Sequence, residues 1–353
     1  MINYRLLEKQ FNEAAGSERT KAKKLTESIM KRIEDGKATA IDYMSSIKGL
    51  HEAVGSKAFP VLTKSLLSKI VIDAYNAHPR VWRDLVTTYP SSLRLDTIPG
   101  AYLTQNMKKL AEGEPYPHNA NIQEKFVTVG TQKYGVILDI TEEMIKHDQS
   151  GLVILRAQAM GETAAKQQEM IIMKSILDYD GYKVYYPGGT QSDLYQNAGA
   201  EPHTQDNLIT NALSDWTDID AARLLLKDMT DENGDPIDPM ATTMLVPNAL
   251  YTKARMLISN TVLPDASNNE MNPFAGSYKI VETPYMSSIT EWYLGDFKKQ
   301  FGWKEVMPLE VMTRDGSQGD GWERDVKYQF KVRMNGQAFA KDYKYVIKST
   351  GVA

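Results

Sequence analysis

The stretch Glu112–Met144, EGEPYPHNANIQEKFVTVGTQKYGVILDITEEM, carries a turn, an extended signal and a helix start in succession. Its first part, Glu112 to Asn119, is dense in Gly, Pro and Asn and reads as a turn region. Beyond it Val127 and Val129 lead into Tyr134, Val136, Leu138 and Ile140, which alternate with Gly135, Ile137 and Asp139. That period of two is the pattern of a strand. Residues 96–140 therefore predict an extended two-stranded β-hairpin, with Lys133 to Ile140 as its return strand and a charged, proline-bearing tip that discourages edge pairing.

Downstream, Thr141 can cap a short helix over Glu142 to His147, whose acidic first turn suits the helix dipole. Ser150 to Asp178 contains no proline and places Val153, Ala157, Met160, Ala164 and Ile171 on one stripe, which predicts a helix about 40 Å long. Upstream, residues 20–34, 38–54 and 61–75 each read as helices. The first of these sets Ala22, Leu25, Ile29 and Ile33 against lysine-rich faces, as an arm lying on neighbours would.

After the long helix, Asp180 to Asp215 is rich in Gly, Asn, Tyr and Gln and predicts an irregular excursion. Thr217 and Asp220 suggest a capping box for a helix over Ile219 to Met229. Thr243 to Val246, Tyr278 to Val281, Glu291 to Leu294 and Val306 to Met312 are strand-like, and Pro247 suits the start of a helix through Ile258. Finally Val326, Tyr328, Phe330, Val332 and Met334 alternate with polar residues, Asn335-Gly336 is a strong hairpin-turn signal, and Tyr343, Tyr345 and Ile347 alternate on the return. The chain is expected to close in an antiparallel hairpin.

With 353 residues, 42% apolar and 24% charged, the composition is that of a folded globular chain of one elaborated domain or two to three units. There is no cysteine, which excludes disulfides and thiolate metal sites. The first ten residues carry Arg5, Glu8 and Lys9 and predict no signal peptide. No apolar run reaches the roughly 20 residues of a membrane span. The net charge of −4 argues against a strongly basic nucleic-acid binder. It is uneven: residues 1–37 hold nine basic and six acidic side chains, leaving 32 basic against 39 acidic in the body.

Catalytic arrangements have spacing requirements that this chain does not meet. The histidines, His51, His78, His118, His147 and His203, form no His-Glu-x-x-His pair, and there is no nucleophile elbow, phosphate loop or dinucleotide fingerprint. Asp231, Asn233 and Asp235 alternate like calcium ligands, but Gly234 comes too early and Pro236 and Pro239 break the loop. Asp315 to Gly321 reads as a plain surface loop. Glu112 and Glu114 sit on an exposed turn, where carboxylates keep ordinary acidity and serve contact or solubility. Lys21 to Lys24 and Lys298-Lys299 could touch phosphate, but they lack interleaved aromatic residues and read instead as solvated faces.

The order of elements, helical arm, long hairpin, long helix, mixed α/β block and closing strands, resembles that of major capsid proteins of tailed bacteriophages with the Hong Kong 97 fold. Glu112 to Pro117 resembles the hairpin tip, Lys133 to Met144 the return strand and its turn, and Gly151 to Ala165 the spine helix. Leu245-Val246-Pro247-Asn248-Ala249-Leu250 and Tyr293-Leu294-Gly295-Asp296-Phe297 resemble the axial domain, and Tyr328 to Ile347 the last peripheral strands. The implied fold class is α+β. Its implied division is an N-terminal helical arm (1–60), a helix leading into the peripheral domain (61–95), the extended hairpin or E-loop (96–140), a peripheral domain with the spine helix (141–180), an axial domain (181–320) and closing peripheral strands (321–353).

The resemblance implies a non-enzymatic shell subunit with no cofactor or metal, which self-assembles as pentamers and hexamers into an icosahedral head around double-stranded DNA. Portal, scaffold and decoration proteins are the implied partners, packaged DNA is touched weakly and without sequence preference, and no membrane is involved. Assembly would take place in the host bacterial cytoplasm and the product would be the virion. Glu112, Glu114, Tyr116 and His118 at the hairpin tip are the implied inter-subunit contacts. Some relatives crosslink lysine to asparagine; Lys108, Lys109 or Lys125 with Asn335 could supply the pair, although the turn with Gly336 already accounts for Asn335. An encapsulin-like compartment shares this fold and is the main alternative; a soluble α/β enzyme would need a convergent polar site that the sequence does not display.

Overall fold

A computed structural model describes residues 58–103, 109, 110, 112, 122–141, 143, 152–187, 190–197, 199, 203–231, 234–260, 271–315 and 326–351. The helices read over 20–34, 38–54 and 142–147 and the loop read over 315–321 lie wholly or mainly outside the described residues. The chain divides into two compact units, one of Met1–Pro79, Lys133–Gln167 and Leu309–Met334, the other of Arg80–Gln132, Gln168–Pro308 and Asn335–Ala353.

The first unit contains helix α1 (Ala58–Ala77), most of strand β4 (Gln132–Thr141) and the N-terminal part of the spine helix α3 (Leu152–Ile176). It also contains the far end of strand β9 (Phe301–Asp315) and the start of strand β10 (Val326–Ala340). The predicted long helix is present, and Val153, Ala157 and Met160 of its stripe are buried. Gly161 lets α1 approach α3: a Cβ on it would lie 2.3 Å from the Val71 carbonyl oxygen. Even-numbered Tyr328, Phe330, Val332 and Met334 of β10 are buried. On the other face, Gln329 donates to Asp139 of β4 and accepts from Arg314 of β9, both at 2.8 Å, and Arg333 pairs with Glu310 at 2.7 Å.

The second unit is built on a mixed sheet of strands β5 (Leu208–Ile209), β6 (Thr243–Pro247), β7 (Lys279–Thr283), β8 (Trp292–Gly295) and β11 (Val346–Ser349), in the order β5-β11-β8-β6-β7. Central β6 and β8 are buried along their whole length, so they read as continuous apolar runs and not as alternation. Helices α4 (Trp216–Lys227) and α5 (Tyr251–Ser259) cover the sheet through Ile219, Ala222, Leu226, Ala254, Leu257 and Ile258, against Met244, Val246, Trp292, Leu294 and Ile347. The cap of α4 is Asp215, not Thr217: Asp215 accepts from the Thr217 amide at 2.8 Å and Asp218 completes the box. Asn272 closes the other end of α5, donating to the carbonyls of Leu257 and Asn260.

Two expectations about strand pairing are corrected. The return strand of the hairpin is β3 (Ile122–Gly130), which pairs antiparallel with β2 (Leu95–Leu103), while β4 leaves the ribbon to join β10. The chain also does not close in a hairpin at Asn335-Gly336. Strand β10 runs straight through this dipeptide, and β11 goes to the other sheet, between β5 and β8. Gly336 is required there because a Cβ would lie 2.4 Å from the Trp303 ring and 2.8 Å from the Lys304 carbonyl oxygen. Tertiary packing thus uses the glycine for close approach and overrides its local turn preference.

Candidate functional site

The hairpin β2–β3 pairs in register from Leu95↔Gly130 to Leu103↔Ile122, nine residues a side and about 30 Å long. It forms a two-stranded sheet of its own. An isolated ribbon of this kind is marginal in water, so what holds its root decides its use.

Among the described residues, apolar packing and a polar contact hold it. Val127 and Val129 on β3 are buried against Phe339 of β10, with Tyr89 of β1 (Thr87–Pro90) packed beside them. The Tyr89 and Phe339 rings are 5.6 Å apart and tilted at 59°, a geometry that suits the aromatic quadrupoles. Beneath Phe339 lies Gly302, where a Cβ would come within 2.3 Å of the ring. Strand β1 runs parallel to β9 with Tyr89 opposite Lys304. Lys304, only 1% exposed, donates from Nζ to the Val129 carbonyl oxygen at 3.1 Å. The root is therefore fastened by an apolar cluster and by a charge-assisted hydrogen bond to main chain.

Beside the root two large apolar side chains stand exposed. Leu93 and Leu95, at the base of β2, are 56% and 65% exposed. Thr131, past the end of β3, donates from Oγ1 to the Arg94 carbonyl at 3.3 Å.

Of the residues read as contacts at the tip, Glu112 is exposed, and Glu114, Tyr116 and His118 lie outside the described residues. Among the candidate crosslinking lysines, Lys109 is exposed, Lys108 lies outside the described residues, and Lys125 stands opposite Gly100 on β3. Asn335 is half-buried within β10, its Oδ1 shielded from solvent and without a hydrogen-bond partner among the described residues. Sequence reasoning did not find Lys304, Phe339 or Tyr89. Lysine has no burial signature in a sequence, and the contact between Phe339 and Val129 depends on the fold bringing β10 under the hairpin. Among the described residues no cluster of three or more His, Asp or Glu could hold a metal ion, and no helix is long and apolar enough to cross a membrane.

A family of phage capsid proteins matches residues 125–349, from the return strand of the hairpin to the last strand. The chain belongs to that family. The match favours a phage shell over an encapsulin-like compartment, and makes this capsid protein a structural subunit of the virion. Its fold is similar to the capsid of the native GTA particle computed with C5 symmetry, with a TM-score of 0.52 and 11% identity over 77% of this chain and 90% of that one. The capsid of the cyanophage P-SCSP1u is similar too, with a TM-score of 0.51 and 13% identity over 77% and 88%. No curated protein sequence matches the chain. The capsid protein has the Hong Kong 97-type α+β fold that the order of its elements implied.

Proposed function

We propose that this capsid protein associates with copies of itself, as pentamers and hexamers, into a closed icosahedral shell around double-stranded phage DNA, and that it catalyses no reaction. The observation that carries this reading is the ribbon β2–β3: nine paired residues a side, joined to no third strand among the described residues, with Leu93 and Leu95 exposed at its base. Such a ribbon gains most by lying on a neighbour, and repeated across a symmetric shell many modest contacts become stable together.

In this reading the tip residues Glu112, Glu114, Tyr116 and His118 touch the neighbouring subunit. The hairpin is the E-loop, 141–180 and 321–353 contribute to the peripheral domain, 181–320 is the axial domain and 1–60 the arm. Portal, scaffold and decoration proteins join the shell, and assembly takes place in the host bacterial cytoplasm. The shielded position of Asn335 within β10 disfavours a covalent crosslink to Lys108, Lys109 or Lys125. On denaturing gels, shells are expected to run as a single band of 39.7 kDa and not as a ladder.

The test is sedimentation and negative-stain microscopy of the purified chain, alone and co-expressed with its genomic neighbours. Closed shells or capsomer-sized rings are expected. A monomer or dimer under every condition would overturn the reading.

A further inference from the structure

Lys298 and Lys299 read as a solvated face because no aromatic residue is interleaved with them in sequence. Folding supplies the rings. Helix α6 (Phe297–Gln300) carries both lysines, and they are exposed. Lys341 reaches back to it, with its Nζ 3.3 Å from the Lys298 carbonyl oxygen and 4.8 Å from the centre of the Tyr89 ring. Lys299 stands 5.7 Å from the Tyr345 ring. Helix α2 (Trp82–Leu85) touches α6 and adds exposed Arg83, 5.9 Å from the Trp82 ring. All of these residues belong to the second unit.

The carboxylates nearby are already engaged. Asp84 pairs with Lys279 at 2.6 Å, Asp296 caps α6 by accepting from the Lys299 amide at 3.3 Å and lies 3.8 Å from the Lys299 ammonium, and Asp342 accepts from the Tyr343 amide at 2.8 Å. Arg83, Lys279, Lys298, Lys299 and Lys341 make five cations against those three carboxylates, on a chain whose net charge is −4. Lys298 and Arg83 have no acidic partner among the described residues.

We propose that the ridge of Lys298, Lys299 and Lys341, flanked by Arg83, contacts the phosphate backbone of duplex DNA. The proposal rests on the shell reading above and assigns the DNA contact to a definite surface. Two observations favour duplex DNA over a second copy of the chain. Interfaces between protein subunits are centred on apolar side chains and are poor in lysine, and none of the exposed large apolar side chains lies on this ridge. The Tyr89 and Tyr345 rings face ammonium groups, so the surface offers point charges for phosphates and no free stacking face for bases. Contact of this kind is weak, independent of base sequence and sensitive to salt.

The experiment measures fluorescence anisotropy of a short labelled DNA duplex of mixed sequence with the full chain, across a series of KCl concentrations. The wild type is compared with the double variant Lys298→Gln/Lys299→Gln and with a control, Lys166→Gln/Lys253→Gln, at exposed positions elsewhere. The double variant is expected to lower the slope of log K against log salt by about 2, near 0.9 for each phosphate that is no longer neutralised, and the control to leave it unchanged. An unchanged slope in the double variant, no duplex binding by the wild type, or an equal loss in the control would overturn the proposal. Shell formation is scored separately by sedimentation. Wild-type protein that forms no shells defeats the capsid reading, whereas shells with an unchanged slope defeat only the DNA-contact ridge.

Discussion

The ammonium of Lys304 donates to the carbonyl oxygen of Val129 across 175 residues of sequence, fastening the hairpin root to strand β9. Replacing it by methionine, of similar length, removes the charge and the hydrogen bond to the Val129 carbonyl, at a cost of about 1–3 kcal/mol. Lys304→Met is expected to lower the urea midpoint and to speed amide exchange across Val127–Gly130 more than across β8. Equal acceleration in both strands would show that Lys304 supports the unit as a whole and not the hairpin root.

Gly161 offers a test in which helix propensity and packing oppose each other. Alanine is the better helix former by about 1 kcal/mol, yet its Cβ would meet the Val71 carbonyl oxygen at 2.3 Å. Overpacking against backbone typically costs about 1–3 kcal/mol, so Gly161→Ala is expected to destabilise the protein while Thr163→Ala, on the exposed face of the same helix, is near neutral. A Gly161→Ala variant as stable as wild type in urea titration would show that α1 can shift without cost.

Asp178 ends the spine helix in a left-handed conformation, φ 57°, and its carboxylate accepts from the Leu194 amide at 2.7 Å. Loss of water pushes its pKa from 3.8 up to about 6; the Leu194 hydrogen bond opposes that shift, and the Asp193 carboxylate adds to it. The folded state therefore holds this proton more tightly than the unfolded one. Stability from this group is greatest below about pH 4 and falls as pH rises through 6. Asparagine tolerates the same backbone and can accept the same amide without charge. Asp178→Asn is expected to stabilise the protein by about 1–3 kcal/mol at pH 7 and by little at pH 4. Urea midpoints at both pH values check it, and an equal gain at each would refute the raised pKa.

At Gly336 any side chain meets the Trp303 ring and the Lys304 carbonyl. If the dipeptide formed a loose turn, Gly336→Ala would be mild. Within β10 it is expected to cost about 2 kcal/mol or more and to quench or shift Trp fluorescence, because the Trp303 ring must move. A mild effect on both would favour the turn.

Much of the fold was legible in the sequence because it rests on local pattern. The proline-free stripe of α3 and the alternation of β10 are periodicities that follow from which face is buried, and both are present. The irregular excursion after the spine helix also appears where its composition placed it, and its described residues include the two-residue strand β5. Pairing was less legible. Tyr134 to Ile140 alternates as a return strand should, but alternation says which face is buried and not which neighbour supplies the hydrogen bonds, and β3 is the partner of β2.

By itself the sequence determined the class of the protein: an α+β chain without cysteine, with an extended hairpin, a long helix and a mixed block in the order of a phage shell subunit. The tertiary structure alone decided what fastens the hairpin and where the cations gather. Lys304 meets Val129, Phe339 meets Tyr89, and Lys341 meets Lys298 only after strands far apart in the chain come together. Periodicity records the burial of each residue, a local property, whereas a contact between distant residues depends on the packing of the whole unit.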